Sequence, residues 1–491
     1  MGRRDTRHSP GGPRKVRRAA AALAVVALVA AGGVVLSGEA EPTLDRVRAW
    51  GEDLLGEDPD PRTEPAEVEP PDGLGLPDVE PPAAPAVAVG ARPVSATAVR
   101  RAVSGPLGQP VLGRRVGVAV AGLTGETAYD AGPEGLVPAS TTKLLTAFAA
   151  LDTIDPGTRF ATRALLDGTD LVLVGGGDPL LQRAPDLDAA PGETQGADLT
   201  TLARRTAEAL ADRGVRRVRL GYDDGLFSGP AFNRTWPATY RDFQAPITAL
   251  MVDDGSDPDG FGRVADPSRA AAEVYAAALR RAGVQVLGVP SPAAASAGAD
   301  LVAEVESAPI GSLVEQLVRV SDNETAETVL RHVGLATGGA GSTQDGVAGV
   351  REVLEERGVP APLQLRDGSG LSRENLIGPD TLVGLLQAVA GSASDDPVRG
   401  LLPGLPVAGF SGSLAFRFDD APPAAVGRVR AKTGTLAGVR SLSGVVVARD
   451  GTPMVFALMA DRIPGDRDEE AEALLDRAAA ALAACRCGRV A

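Results

Sequence analysis

Histidine and cysteine are almost missing: two of each in 491 residues. Zinc fingers, iron–sulfur clusters and ordinary catalytic zinc sites need three or four such ligands converging, so none is expected, and no metal or other cofactor is implied. A Ser-His-Asp hydrolase is equally short of parts. His8 lies in a basic leader, only His332 remains, and no serine carries glycine at both flanking second positions as a nucleophile elbow requires. His332 therefore reads as a helix-surface or core histidine. Lysine is nearly as rare: of 49 basic residues only Lys15, Lys143 and Lys432 are lysine. Arginine keeps its proton in a protein, whereas lysine can lose it and offers a compact point charge. Lys143 and Lys432 thus mark places where arginine would fail.

Positive charge is in deficit overall, with 64 acidic residues and a formal net charge of -15. The first 18 residues hold seven Lys/Arg and one Asp, a surplus of six, so the remainder carries -21. Such a body repels phosphate backbones, and no nucleic-acid partner is expected. The 44% hydrophobic content supports a large core, and the length suggests about three domains.

Seven basic residues precede an uncharged run from Ala19 to Leu36. This is a signal peptide or signal anchor over 1–37, and a membrane contact through 19–36 if uncleaved. Eighteen helical residues rise roughly 27 Å, near the lower limit for spanning a bilayer. The body is expected to be exported, either anchored with its catalytic part outside the cytoplasm or secreted to the cell wall. Residues 38–95 read as an acidic, proline-rich linker: Glu57 to Pro85 contains nine prolines and nine acids against one arginine. In polyproline II form it reaches ~90 Å at ~3 Å per residue. Cys485 and Cys487 close the chain, as a small loop, an intermolecular bridge or free thiols.

Within the body, Arg115 to Gly122 alternates Val116, Val118 and Val120 with small residues as a strand, followed by another near Thr127 to Tyr129. Near the other end, Gly427–Lys432, Ser441–Ala448 and Met454–Ala460 read as strands, with Asp450-Gly451 turning the last hairpin. A helix over Glu469–Cys485 follows. Both ends of the chain thus build one antiparallel sheet, leaving the middle for helices and an inserted domain. Gly175-Gly176-Gly177-Asp178-Pro179 lacks the ending of a phosphate loop and reads as a plain turn. The run Asp253, Asp254, Asp257, Asp259 lacks calcium-loop spacing and reads as a solvated loop.

Three short motifs combine into one chemistry. Ser140 and Lys143, three apart at a helix N-terminus, share a face, and a desolvated lysine can accept the serine proton. Ser321-Asp322-Asn323 lies between helical stretches 310–320 and 324–333, where a hydroxyl and an amide can enter one cleft. Ser321 with Glu324 also reads as a capping box. Lys432-Thr433-Gly434-Thr435 ends a strand: the lysine suits a substrate carboxylate, Gly434 allows close approach, and the Thr435 N–H can donate to an oxyanion.

Together these motifs resemble those of penicillin-binding proteins and serine β-lactamases. The 177 residues between Lys143 and Ser321 make the chain similar to the class C low-molecular-mass penicillin-binding proteins, the D-alanyl-D-alanine carboxypeptidase/endopeptidases. Further stretches share that likeness: Val174 to Pro179, Leu226 to Pro230, Ala249 to Asp253 and Asp367-Gly368-Ser369-Gly370-Leu371-Ser372. It covers roughly Gly113 to Ala484.

The resemblance implies an α/β (α+β) transpeptidase-like fold, an antiparallel five-stranded sheet flanked by helices. The catalytic domain is expected over 96–165 and 306–491, with an inserted domain over 166–305. It further implies Ser140 as nucleophile and Lys143 as base. Ser321 and Asn323 would assist proton transfer and orient the peptide. Lys432, Thr433, Gly434 and Thr435 would bind the terminal carboxylate, with the Ser140 and Thr435 N–H groups as the oxyanion hole. The implied substrate is a peptidoglycan stem peptide ending in D-Ala-D-Ala, with β-lactams as inhibitors. Two alternatives stay open: a β-lactamase of the same superfamily, although no Glu-x-x-Leu-Asn-like segment is present, and a non-catalytic wall-binding module.

Overall fold

The computed structural model describes residues 93–188, 194–258, 260–419 and 421–489. The expected leader over 1–37 and nearly all of the linker lie outside the described residues. No helix among the described residues is long and apolar enough to cross a membrane. Residues 93–95 pack with the described body: Arg489 N–H donates to the Pro93 carbonyl and Ser95 N–H to that of Cys487, so these two segments lie side by side.

Helix α1 (Ala96–Leu107) is capped by the Ser95 side chain and leads into β1 (Arg115–Gly122) and β2 (Thr127–Ala131). A single 3-10 turn, Ala139–Thr142, runs directly into α2 (Lys143–Thr153). Every α2 residue from Lys143 to Leu151 is buried, and all of them but Lys143 and Thr146 are apolar.

The chain then builds a second sheet from β3 (Ala161–Asp167), β4 (Asp170–Val174), β5 (Arg217–Asp223), β6 (Gln285–Pro292) and β7 (Asp300–Glu306). Its order is β6-β5-β4-β3-β7, parallel from β4 to β6 and antiparallel around β3. Helices α3 (Leu199–Asp212) and α4 (Pro267–Arg281) make the parallel crossovers and bury Leu202, Leu210, Tyr275 and Leu279 against Leu171, Leu173 and Leu220. The triple glycine is a tight junction, not a phosphate cradle. Gly177 has φ +73°, and a Cβ on Gly176 would lie 2.1 Å from the Ala161 carbonyl oxygen.

Helices α5 (Ile310–Val320), α6 (Asn323–Ala336), α7 (Thr343–Glu356) and α8 (Pro379–Gly391) follow. The chain returns through β8 (Val429–Leu436), β9 (Val439–Val447) and β10 (Pro453–Asp461) to α9 (Asp468–Ala484). The first sheet has the order β2-β1-β10-β9-β8, with Arg115 opposite Asp461. Period-two alternation sorts its strands between two cores. Ala119, Ala121, Ala457 and Met459 face the α2, α5 and α8 side, whereas Val118, Val120, Phe456 and Leu458 face α1 and α9.

Two local expectations change, and one open choice is resolved. Strand β8 runs on through the Lys-Thr-Gly segment to Leu436, because the reversal sits at Ala437-Gly438, where Gly438 takes φ +71°. Ser321 is not the cap of α6: at φ +66° it closes α5, and the Asp322 side chain caps α6 by accepting from Thr325 N–H. Cys485 and Cys487 are disulfide-bonded to each other, so no free thiol occurs among the described residues.

Candidate active site

The turn before α2 is pinned from several directions. Thr141 Oγ1 donates to the Pro138 carbonyl at 2.8 Å, Ser441 Oγ on β9 donates to the same oxygen at 2.5 Å, and Thr142 Oγ1 donates to the Ala139 carbonyl at 2.9 Å. These contacts hold Ala139 at φ +48°, a left-handed conformation costing an alanine on the order of 1 kcal/mol. Ser140, directly after it, is half-buried and faces a cleft of about 660 Å³.

Lys143 is buried completely at the first turn of α2. Its Nζ lies 3.0 Å from Ser140 Oγ, 2.7 Å from Asn323 Oδ1 and 2.8 Å from the Ser369 carbonyl oxygen. An uncharged amine has two N–H groups and one lone pair. The amide and peptide oxygens only accept, so they take the two N–H groups and leave the lone pair to the Ser140 O–H. Burial lowers the proton affinity of Lys143 to about 8, while the charges of Asp322, Asp367, Glu327 and Glu324 oppose the fall.

Lys432 is equally buried and donates to Ser321 Oγ at 2.7 Å and to the Thr433 carbonyl at 2.9 Å. Its proton affinity is held well below the usual lysine value, first by burial and then by the cations Lys143 and Arg417. The two amines differ because carboxylates surround only the first. The left-handed backbone at Ser321 turns that hydroxyl toward Lys432 while Asn323 starts the helix facing Lys143.

Strand β8 is the edge strand of its sheet, bridged on its outer side, among the described residues, only where Arg430 meets Val407. Ala431 N–H points away from β9, to the Pro406 carbonyl, and alternation along the strand turns the Thr433 and Thr435 N–H groups the same way. A Cβ on Gly434 would sit 2.0 Å from Ser441 Oγ, 2.5 Å from the Pro138 carbonyl oxygen and 3.2 Å from Ser140 N. The backbones of Ser140 and Gly434 therefore touch, and the Ser140 and Thr435 N–H groups border one cleft. Gly434→Ala is expected to push β8 off the nucleophile turn. The acylation rate should fall by about 10²-fold and the melting temperature should drop, both read on the purified chain.

All eight residues singled out in the sequence thus lie around this cleft. Others were not singled out. Ser413 Oγ meets Thr433 Oγ1 at 2.9 Å, Arg373 donates to the Ala437 carbonyl at 2.8 Å, and Tyr240 and Phe243 wall the far side. Ser369, whose carbonyl holds Lys143, lies in the Asp367–Ser372 stretch that carried part of the family likeness, and that likeness was the available signal. The acidic loop is not simply solvated: Asp253 pairs with Arg183 at 2.8 Å, and the Asp254 carboxyl is pushed up, first by burial and then by the Asp322 and Glu324 charges. His332 is a core residue, stacked on Phe160 at 3.6 Å with Nε2 2.9 Å from the Gly177 carbonyl oxygen.

The fold is similar to that of penicillin binding protein 4 from Haemophilus influenzae, with a TM-score of 0.64 at 21% identity, covering 78% of this chain and 98% of that one. By sequence, the chain belongs to the D-Ala-D-Ala carboxypeptidase 3 (S13) family, whose model matches residues 99–258 and 260–482. A carboxypeptidase of Mycobacterium tuberculosis is 36% identical over 402 residues, 78% of this chain and 85% of that protein. The D-alanyl-D-alanine carboxypeptidase of an Actinomadura strain is 31% identical over 434 residues, 72% of this chain and 79% of that protein. The match begins at residue 99, earlier than the likeness read from motifs alone.

Proposed function

We propose that the protein is a serine D-alanyl-D-alanine carboxypeptidase, with endopeptidase capability, acting on peptidoglycan stem peptides. The observation that carries this reading is the Lys143 amine, buried, held by two acceptors and 3.0 Å from a cleft-facing hydroxyl. Ser140 Oγ attacks the carbonyl between the two D-alanines as its proton passes to Lys143 Nζ. The oxyanion is held by the N–H groups of Ser140 and Thr435. The C–N bond then breaks, and the leaving amine takes a proton through Lys143 and the Ser321–Lys432 pair. Asn323 orients the peptide. Lys432, with Thr433 and Thr435, binds the terminal carboxylate, whose negative charge opposes the shift that burial imposes on that lysine. Water next attacks the ester, Ser140 regains its proton, and the shortened peptide leaves. A β-lactam enters the same path through its strained amide and stalls at the ester.

Export completes the reading. The basic leader and the apolar run over 19–36 would place the body outside the cytoplasm, anchored or released to the wall, with the acidic linker as a spacer. The test incubates the full chain with a stem pentapeptide ending in D-Ala-D-Ala and with a cross-linked dimer, and identifies products by mass. Release of D-alanine is expected from the first and two monomers from the second. Neither product, alongside rapid turnover of the penicillin itself, would select the β-lactamase alternative.

A further inference from the structure

A buried acid addresses the catalytic amine from behind. Glu327 lies four residues after Asn323 on α6, so both project from one helix face. Asn323 meets Lys143 directly at 2.7 Å. Glu327, only 1% exposed, instead accepts on Oε1 the N–H groups of Gly368 at 3.0 Å and Ser369 at 2.7 Å. The carbonyl of that same Ser369 receives an N–H of Lys143 at 2.8 Å. The following peptide is gripped from the other side, with Gly370 N–H donating to Asp367 Oδ1 at 3.0 Å. Asp367 is itself held by Trp236 Nε1 at 2.7 Å and Asn375 Nδ2 at 2.7 Å. The turn cannot drift: a Cβ on Gly368 would lie 2.9 Å from Leu330 Cβ, and one on Gly370 1.9 Å from the Ala139 carbonyl oxygen.

We propose that Glu327 is a positioning residue for acylation: it clamps the backbone at 368–369 so that the Ser369 carbonyl takes one N–H of Lys143 and keeps the amine lone pair turned onto Ser140 Oγ. This deepens the proposed function and rests on its assignment of Ser140 and Lys143. It extends the second motif by one residue, to Ser321-Asp322-Asn323 followed by Glu327.

The acid also acts through its charge. Lys143 is faced by Glu327, Asp322 and Glu324 from α6 and the residues before it, by Asp367 from the turn, and by the cation Lys432 from β8. Glu327 in turn faces Asp367 and Arg331, and burial pushes its carboxyl up. That rise carries the carboxyl toward the range in which Lys143 titrates; where Glu327 is ionised it holds the lysine's proton on, so a neutral replacement lets the amine become a base at lower pH.

The experiment compares full-length wild type, Glu327→Gln and Glu327→Ala by the rate of covalent labelling with a fluorescent penicillin, across a pH range bracketing the Lys143 titration. Glu327→Gln keeps an acceptor oxygen. Its alkaline plateau should stay within about threefold of wild type, with the midpoint of the rise moved to lower pH. Glu327→Ala removes the clamp and should lose about 10²-fold of the plateau while melting cooperatively. An alanine variant with the wild-type plateau, or a glutamine variant with an unmoved midpoint, overturns the proposal. If the alanine variant does not fold, the glutamine midpoint alone decides. A failure of the underlying assignment shows separately, as labelling that survives Ser140→Ala.

Discussion

Ser140→Ala is expected to cut covalent labelling by a fluorescent penicillin by at least about 10⁴-fold, with cooperative melting within a few degrees of wild type. The first half follows from geometry. Ser140 Oγ is the hydroxyl that Lys143 reaches, and the other cleft hydroxyl bonded to a lysine, Ser321 Oγ, contacts an amine whose remaining bond goes to the Thr433 carbonyl. The second half follows from the turn, which is held by Thr141, Thr142 and Ser441 and not by the nucleophile itself. Labelling at the wild-type rate would place the acylated oxygen elsewhere in the cleft.

Lys143→Arg should be almost as severe, with about 10³-fold lost from acylation on the wild-type alkaline plateau. A guanidinium keeps its proton, so it cannot take one from Ser140, and its planar fork does not fit two acceptors and a hydroxyl grouped about one nitrogen. In the wild type only the uncharged amine is competent. It accumulates above its titration point, so acylation should rise with pH through about 8. Lys143→Arg should flatten that rise. Lys432→Arg retains a cation for the substrate carboxylate but removes the amine bonded to Ser321, so it should raise KM and lower kcat, the latter less than Lys143→Arg does. If acylation kinetics put the two variants in the reverse order, the roles of the two lysines must be exchanged.

Much of this was legible because the signals are local. The alternation around Val118 and Val120 states a strand, and Leu313, Val314, Leu317 and Val318 recur at helical spacing in α5. Lysine scarcity then pointed to two positions that both reach the cleft. Local signals fail where a tertiary contact decides between equivalent options. Ser321 and Asp322 can each cap α6, and the bond from Lys432 to Ser321 Oγ leaves the capping to Asp322. Lys432 to Thr435 reads as the end of a strand, yet β9 pairs with it as strand through Leu436. Least legible were groups acting through backbone far away in sequence. Glu327 bonds peptides 41 and 42 residues on, and Ser441 reaches back 303 residues to Pro138. No spacing rule covers such partners.

The pairing of β1 with β10 has a consequence for biosynthesis. Arg115 finds its neighbour Asp461 only after 346 further residues have been made. A ribosome that has delivered Ser140, Lys143 and Asn323 still lacks Lys432 and the Thr435 donor, so a nascent or prematurely stopped polypeptide carries a nucleophile with only one of its two oxyanion donors. Hydrolytic competence therefore arises late and all at once. A chain cut before β8 should be inert toward cell wall, not merely slow.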